Sequence, residues 1–393
     1  MTNMQNRDKK IPLSNRMQSI LAMLQQEKLS HGKIPCVADI GCDHAFVSMA
    51  CVRDGLAERV IAMDVRKGPL SIAQTHIQEY GFAKSVETRL SNGFEAMEPG
   101  EATWALLAGM GGELMKTILQ NGKAHLDASD MDYVFAGDLL GQSMATTFGV
   151  ENFRIPWFGV YGACSTCGES LSLAAAFVAA GYARHAVAVT SSHFGSAEKQ
   201  FRFPNQYANQ RPVSATWTVT GSAAFIVGSG AGGKEMAGCD NADSISRKVQ
   251  IEGITTGVVV DYGIKDAMAP AACELIVNHL SDFGRKASYY DRIVTGDLGS
   301  VGQKILIDLC RQKGVDISKN HEDCGMKMFD ATNQNTGSGG SGCACSATVL
   351  SAYYLPKLRS GELKRILFVP TGALLSPVSF NEGESVPGIA HGV

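Results

Sequence analysis

The sequence predicts an α/β protein whose sheets are largely parallel and covered by helices on both faces. Apolar segments of strand length alternate with amphipathic or small-residue helical segments along most of the 393 residues. The 43 glycines cluster where these apolar segments end, as the turns of such a fold require. The chain is too long for one ordinary core, so two or three domains are expected.

The composition is that of a soluble globular protein, because 45% of the residues are hydrophobic and 19% are charged. The net charge is -3, so any contact with nucleic acid must rest on a local basic patch. No apolar run approaches the roughly 20 residues that span a bilayer, and the first residues do not resemble a signal peptide. Eleven cysteines without a secretion signal fit reduced thiols, which predicts a cytoplasmic location.

The elements of the first part are predicted from periodicity. Apolar residues at helical spacing indicate a helix within residues 11–30, and strand segments begin at Cys36, Arg59, Val86 and Thr103. A helix over residues 112–126 and a strand over 131–137 follow. Together with the strand at 103–109 they have the proportions of one βαβ unit.

The same alternation continues to the end of the chain. A small-residue helix is expected over 170–183, and a Gly-rich polar loop over 228–247. Strand segments are predicted at residues 185–194, 251–263, 292–299 and 365–376.

Glycines and acids at the ends of the first two strands suggest a cofactor site. In a doubly wound sheet such sites lie at the carboxyl ends of the strands. Asp39, Gly41 and Asp43 follow the first strand, and Asp64 closes the second, where it could accept both ribose hydroxyls of a nucleoside. One glycine and one acid are weak support for a Rossmann-like site by themselves.

Longer strings make this part more specific. SNRMQSI, VADIGCDHAF, VIAMDVRKGPL, ETRLSNG and AGMGGELM occur in this order and resemble the bacterial tRNA adenine-N1 methyltransferase family. The resemblance implies a partial Rossmann-like methyltransferase domain at residues 1–120, with S-adenosylmethionine (SAM) as its cofactor. The residues that it implies around the cofactor are Asp39, Gly41, Asp43, Asp64, Asn92 and Gly93. Those that it implies beside the target base are Gly109, Met110, Gly111 and Gly112.

The chain departs from this family in three ways. Ala45 stands where the family usually has glycine, and Asn92 stands where it usually has aspartate. The resemblance ends near Gln120, so the last strands of the sheet and the helical RNA-binding domain are missing. A half-sheet leaves an unpaired edge. A vestigial fragment is therefore favoured over an active methyltransferase.

A second candidate site is centred on Cys164, in the string VYGACSTCGESLSLAAAF. A cysteine at a helix N-terminus is expected to have a lowered thiol pKa, and free amides there can stabilise an oxyanion. Acyl transfer also needs a base and an oxyanion partner. Their expected places, residues 294–299 and 339–347, contain neither His nor Asn. Cys164 is therefore interpreted as equivalent to a nucleophile but not catalytic.

The wider sequence of this part resembles the family of stage V sporulation protein AD. The strings that carry the resemblance are DYVFAGDLLGQ, YGACSTCGESLSL, TSSHFGSAEKQFRFP, NQRPVSATWTVTGS, VTGDLG, ISKNHEDCG, GGSGCACSATVL and FVPTGALLSPVS. The resemblance implies a thiolase-like α/β/α/β/α domain at residues 121–393, in halves of about 121–230 and 248–393, without its first strand and helix. It also implies a chimera of two families.

This resemblance implies a binding function and no cofactor for the second part. The family serves sporulation by binding dipicolinate for uptake into the forespore, alongside membrane proteins, so a peripheral location at the forespore membrane is expected. A planar dianion needs cations and oriented amides. The candidates around the thiolase cavity are Cys164, His193, Lys199, Arg202 and Asp297. For Lys199 and Arg202 an ordinary surface charge is an equally good interpretation.

Three functional hypotheses remain open. The favoured one is a dipicolinate-binding sporulation protein that carries a methyltransferase fragment. The alternatives are a SAM-dependent tRNA (adenine-N1)-methyltransferase, for which tRNA would be the partner, and a thiolase-like acyltransferase using Cys164.

Structural thiols are favoured over a metal site at the CxxC and CxC motifs, because no histidine ligands accompany them. A homodimer is a further possibility.

Overall fold

The computed structural model describes residues 11–14, 17–18, 20–22, 24–25, 28, 33–108, 110, 112–122, 131–201, 211–229, 249–261, 263 and 268–393. The chain divides into two compact units. The first contains the described residues up to 122, and the second contains the described residues from 131 onward.

The first unit contains a four-stranded parallel sheet with the order β3-β2-β1-β4. Its strands are β1 (Ile34–Ile40), β2 (Ala57–Asp64), β3 (Val86–Leu90) and β4 (Trp104–Leu107). The described residues among 17–28 are helical and form α1. The other helices are α2 (Phe46–Arg53), α3 (Lys67–Glu79) and α4 (Gly112–Asn121).

Burial explains this arrangement. Every residue of β1 except Pro35 is buried, as expected for a central parallel strand with helices on both faces. Ile118 of α4 is buried with residues of β1 and β2. In the described part of the chain β4 pairs only with β1, so the sheet ends there. This agrees with the partial methyltransferase sheet predicted from the sequence.

The described residues of the second unit form one four-stranded sheet, two three-stranded sheets and one pair of short strands. Its strands are β5 (Tyr133–Asp138), β6 (Trp157–Gly159), β7 (His185–Ser192), β8 (Thr216–Thr218), β9 (Gly221–Gly228), β10 (Thr255–Thr256), β11 (Arg292–Thr295), β12 (His321–Asp323), β13 (Gly339–Ser341), β14 (Ile366–Val369), β15 (Thr371–Ala373) and β16 (Gly388–Gly392). Its helices are α5 (Met144–Val150), α6 (Thr166–Ala179), α7 (Phe194–Phe201), α8 (Met268–Asp282), α9 (Gly299–Gln312), α10 (Cys324–Met328), α11 (Cys343–Val349), α12 (Leu355–Ser360) and α13 (Pro377–Asn381). A π-helical segment, Leu350–Tyr354, follows α11.

The layers of the second unit follow from its contacts. The first sheet has the order β6-β5-β7-β9. The sheets β12-β11-β14 and β10-β16-β15 are continuous and form the second, because Phe368 of β14 exchanges two hydrogen bonds with Val393, directly after β16. Helix α6 contacts β5 and β7 of the first sheet and β16 of the second, so it lies between them. Its small side chains suit this position, and most of them are buried. Helix α5 packs on the first sheet, and α8 and α9 pack on the second. The predicted thiolase-like α/β/α/β/α fold is confirmed.

Some predicted elements differ from the structure. The strand expected over 251–263 is reduced to β10 and a single bridge between Val260 and Gly388. The strand expected over 365–376 is divided at Pro370, which has no N–H to donate to a sheet. Strands β4 and β5 belong to different sheets, so the predicted single βαβ unit is wrong. Most of the loop expected at 228–247 lies outside the described residues. No helix of the described part is long and apolar enough to cross a membrane.

Candidate functional site

A cavity of about 390 Å³ lies at the carboxyl ends of the strands in the first unit. The residues predicted to surround a cofactor line this cavity together. They are Asp39, Gly41, Asp43, Asp64, Asn92 and Gly93, and they are joined by Met110. Gly109 and Gly111 lie outside the described residues, and Gly112 is the first residue of α4.

The two buried acids of this cavity have different partners. Asp64 Oδ1 accepts a hydrogen bond from the Arg66 N–H at 2.8 Å, and among the described residues no donor reaches its Oδ2. Asp39 Oδ2 accepts from Ser48 Oγ at 2.5 Å. Burial raises the pKa of Asp39 to about 6, although the bond from Ser48 opposes this shift. Because only Oδ1 of Asp64 accepts a hydrogen bond from the described residues, its Oδ2 is available for a ligand hydroxyl.

The turn after β1 brings the backbone close to the cavity. The N–H groups of Gly41 and Cys42 both donate to the Met63 carbonyl, at 2.8 and 2.9 Å. Gly41 has a φ of 79°, and a Cβ there would lie 2.7 Å from Met110 Cε. A glycine is required because a side chain would be strained and would contact Met110.

Asn92 and Gly93 form another wall of the cavity. The Asn92 amide donates from Nδ2 to Glu95 Oε1 at 2.9 Å, which directs its NH₂ group towards that carboxylate. The amide oxygen is then the group that can accept from a ligand. Gly93 has a φ of 63°, and a Cβ there would lie 3.0 Å from Ile118 Cγ2. The contact between this loop and α4 therefore needs a glycine.

Sequence reasoning missed two aromatic residues of this cavity, His44 and Phe46. The Phe46 ring stacks on His76, with centroids 4.8 Å apart. His44 Nδ1 is buried and has no hydrogen-bond partner in the described part of the chain. Both residues lie in the string VADIGCDHAF, so their position directly after the glycine turn was the available signal.

The second site contains a thiol beside a carboxylate. Cys164 lies in a 3₁₀ turn, Ala163–Ser165, that leads into α6, and its Sγ is 3.9 Å from Ser341 Oγ. Asp297 is fully buried, and its Oδ2 accepts from Ser341 Oγ at 3.0 Å and from the Gly342 N–H at 3.1 Å. Its Oδ1 accepts from Thr371 Oγ1 at 3.0 Å.

The electrostatics of this site oppose a reactive thiolate. Burial raises the pKa of the Cys164 thiol well above its ordinary value, and the adjacent Asp297 raises it further. Burial also raises the pKa of Asp297, and hydrogen bonds from Cys164, Gly342 and Ser341 oppose this shift. The lowered thiol pKa expected from the helix N-terminus is therefore wrong.

The remaining ligand candidates lie on or next to α7. His193 is exposed directly before this helix, and its Nδ1 accepts from the Ser196 N–H at 3.4 Å. Lys199 is exposed in the last turn. Arg202 lies outside the described residues. The opposite face of α7 carries Ala197, which packs in the same small cluster as Cys164.

A buried ion pair on α7 was missed by sequence reasoning. Arg211 Nη2 lies 2.5 Å from Glu198 Oε2, and both side chains are about nine-tenths buried. The Arg211 guanidinium also lies 4.0 Å from the centroid of the Trp217 ring, which stacks on Phe194. The string NQRPVSATWTVTGS contains Arg211 and Trp217, but nothing in their spacing predicts the pair with Glu198.

Three of the four cysteines in the CxxC and CxC motifs are fully buried thiols, and Cys164 is half-buried. Cys167, Cys343 and Cys345 are fully buried, and Cys343 Sγ donates to the Ser191 carbonyl at 2.9 Å. Within the described ranges no group of three or more His, Cys, Asp or Glu side chains could hold a metal ion.

Comparison with known families separates the two units. The model of the stage V sporulation protein AD family matches residues 94–393. The chain belongs to the stage V sporulation protein AD family. A methyltransferase domain model matches residues 13–140, so the predicted resemblance to two families is confirmed.

Individual relatives show the same division. Stage V sporulation protein AD of Bacillus subtilis (strain 168) is 41% identical over 277 residues, which are 69% of this chain and 77% of that protein. The tRNA (adenine(22)-N(1))-methyltransferase of the same organism is 32% identical over 120 residues, 30% of this chain and 48% of that enzyme. The structure of M. capricolum TrmK with S-adenosyl-homocysteine is 29% identical, with a TM-score of 0.24, and covers 28% of this chain and 46% of that one. The chain thus spans about half the length of these methyltransferases.

Proposed function

We propose that this stage V sporulation protein binds dipicolinate in its thiolase-like unit and does not transform it. The arrangement of Cys164, Ser341 and Asp297 is the observation that carries the proposal. Because burial and the neighbouring Asp297 raise the pKa of the Cys164 thiol, the group equivalent to a nucleophile stays protonated at neutral pH. A protonated thiol in a polar, hydrogen-bonded site can contact a ligand but is a poor nucleophile.

The positive charge and hydrogen-bond donors for a dianionic ligand would come from α7 and the residue before it. Lys199 is exposed in the last turn of α7 and His193 directly before this helix, and Ala197 of the same helix packs in the cluster that contains Cys164. Arg202 follows the helix in sequence. Asp297 would repel a dianion, and its oxygens already accept hydrogen bonds from Ser341, Gly342 and Thr371. We assign Asp297 the role of holding Ser341 and Thr371 in place.

We further propose that the first unit binds SAM without methylating RNA. The free oxygen of Asp64 would hold the ribose hydroxyls, and the Asn92 amide oxygen would accept from the adenine amino group. Gly41 allows the close backbone approach that the ligand needs. Methyl transfer to tRNA would need the part of the enzyme that lies beyond the matched half.

The partners proposed for the chain follow from its family. Dipicolinate uptake into the forespore would require membrane proteins, and the chain would act with them from a peripheral position at the forespore membrane. This proposal rests on the family assignment.

Calorimetric titration of the purified chain with dipicolinate tests the main proposal. We expect saturable binding that Lys199→Ala and His193→Ala each weaken by about tenfold, because each removes one hydrogen-bond donor to the ligand. Lys304→Ala is the matched control, since Lys304 is also an exposed lysine on a helix, and it should leave the affinity unchanged.

Other results would favour the alternatives. Methylation of tRNA by the chain in the presence of SAM would support the methyltransferase hypothesis, which the cavity of the first unit favours. Transfer of an acyl group to Cys164 would support the acyltransferase hypothesis. Absence of dipicolinate binding to folded protein would contradict the main proposal.

A further inference from the structure

The segments that lead into the strands of the second sheet carry a surplus of positive charge. Strands β11, β12 and β14 are parallel, and β10 runs in the same direction because it and β15 both pair antiparallel with β16. The preceding segments therefore meet at one side of the sheet, here called the amino edge, and they are residues 251–254, 283–291, 313–320 and 357–365. They contain eight basic and four acidic residues, whereas the whole chain has a net charge of -3.

The opposite side of the same sheet carries the reverse charge. The segments that follow its strands are residues 257–261, 296–298, 324–328 and 374–387. Their charged residues are Asp261, Asp297, Glu382, Glu384 and Lys327. The basic residues are thus concentrated on the side of the sheet opposite to Asp297 and the Cys164 site.

The loops of the amino edge contact one another. Asn320, before β12, donates from Nδ2 to the Tyr290 carbonyl, before β11, at 2.9 Å. Asp291 Oδ2 accepts from the backbone N–H groups of Lys364 and Arg365, before β14, at 2.6 and 3.0 Å. These loops therefore form one continuous surface.

Two arginines of this surface share one aromatic ring and one carboxylate. The guanidinium groups of Arg285 and Arg365 lie 4.4 and 4.7 Å from the centroid of the Tyr289 ring. Glu252 lies 3.4 Å from Arg285 Nη2 and 3.5 Å from Arg365 Nε. One negative charge thus compensates two positive charges, so the arginines keep a net positive charge.

Three lysines add to this charge. Lys286, Lys319 and Lys364 are exposed, and none of them forms an ion pair with another described residue. Exposed apolar side chains lie beside the arginines, because Phe283 is 37% exposed with its ring under Arg285, and Ile251, next to Glu252, is 38% exposed. Attraction of cations to anionic lipid and burial of apolar side chains in the interface both strengthen binding to a membrane surface.

We propose that the amino edge of the second sheet binds the surface of a membrane that contains anionic lipid. The surplus cations would attract the lipid headgroups, and Ile251 and Phe283 would enter the interface. The aliphatic Ile251 beside the cations favours a lipid surface over a nucleic acid, whose phosphates attract the cations alone. The proposal rests on the peripheral membrane position proposed above, but not on dipicolinate binding.

Co-sedimentation of the purified chain with phosphatidylcholine vesicles, with and without phosphatidylglycerol, tests the proposal. We expect binding only when phosphatidylglycerol is present, and weaker binding as the salt concentration rises. Lys286→Ala and Lys364→Ala should each lower the partition coefficient by about fivefold, because each removes one cation from the lipid surface. Lys304→Ala is the matched control, since Lys304 is an exposed lysine on α9, which begins at the opposite side of the sheet, and it should leave binding unchanged.

A second pair of variants tests the apolar contribution. Ile251→Ala should lower binding to the same vesicles by about threefold or more, because less apolar surface enters the interface. Val301→Ala should leave binding unchanged, since Val301 lies at the start of α9 and its exposure of 39% matches that of Ile251.

Binding that does not depend on phosphatidylglycerol would overturn the proposal, and so would equal weakening by Lys286→Ala and Lys304→Ala. Absence of vesicle binding by the folded chain would overturn it in favour of contacts with membrane proteins. Binding of tRNA in place of vesicles through the same lysines would overturn it in favour of a nucleic acid. Titration of Lys286→Ala with dipicolinate separates these results from failure of the proposed function, because this variant should bind dipicolinate as the unmodified chain does.

Discussion

At the scale of single residues, the turn between β1 and α2 stores backbone strain. Asp43 has a φ of 50° and Ala45 a φ of 60°, and both are outside the conformations that side chains prefer. Ala45 is also fully buried. The left-handed backbone is a physical reason to expect glycine at this position, as the resemblance to the methyltransferase family implies.

Replacing Ala45 with glycine should relieve part of this strain. We expect Ala45→Gly to leave the free energy of unfolding of the first unit unchanged or raise it by up to about 1 kcal/mol. Ala50→Gly, at an equally buried position in the right-handed part of α2, should lower it by about 1 kcal/mol. Urea unfolding followed by circular dichroism measures both. Equal destabilisation by the two variants would contradict the argument.

The residues of the first cavity were largely predictable from the sequence, because they follow strand ends. Asp64 and Gly41 are placed by the rule that parallel strands present their carboxyl ends to a ligand. The bond between Asp39 and Ser48 was not predictable, since it depends on the orientation of α2 against β1. Nor could the sequence show that Ala45 adopts a left-handed conformation.

At the scale of secondary structure, the start of α6 shows that a helix terminus does not decide a thiol's reactivity. The positive end of the helix favours a thiolate. Burial and the carboxylate on the loop after β11 oppose it, and the pKa of Cys164 is raised. The sequence identifies the helix and the cysteine. It could not place Asp297 beside them, because that contact joins positions 133 residues apart.

This balance predicts how Cys164 reacts with iodoacetamide as pH changes. The raised pKa means that the thiolate fraction, and therefore the alkylation rate, should still be rising at pH 9 without a plateau. Asp297→Asn removes the neighbouring negative charge and should increase the rate at pH 8 several-fold, up to about tenfold. Peptide mass spectrometry measures labelling at Cys164 itself, and Asp308→Asn, at an exposed carboxylate on α9, serves as the control. An unchanged rate in a folded Asp297→Asn protein would show that the carboxylate does not control the thiol.

Other elements were predicted in kind but not in extent. β10 is much shorter than its apolar sequence suggests, because pairing with β16, and not hydrophobicity, determines where the strand ends. Pro370 is visible in the sequence, yet only the structure shows that the chain continues beyond it as a separate strand, β15.

At the scale of the whole molecule, each unit has its own hydrophobic core. One set of buried clusters contains residues of β1 and β2, and other clusters contain residues of α6, α8 and β14. Separate cores are expected to give separate unfolding transitions.

A ligand that binds one unit should then raise the unfolding temperature of that unit only. In differential scanning calorimetry, SAM at about a hundred times its dissociation constant should raise one transition temperature by several degrees and leave the other unchanged. Asp64→Asn should abolish this shift, whereas Asp297→Asn, in the other unit, should keep it. A SAM-induced shift of both transitions, or of neither, would argue against the proposed site.

Strand β16 has a consequence for synthesis of the protein on the ribosome. It follows every other strand in the chain, yet it lies between β10 and β14 and also pairs with β15. The four strands of the first unit's sheet all precede residue 108, so this sheet can form while translation continues. The second sheet of the thiolase-like unit must wait for its last strand. Until β16 leaves the ribosome, the backbone edges of β10, β14 and β15 that it will pair with stay exposed. These unpaired edges are the surface that a chaperone would bind during this interval.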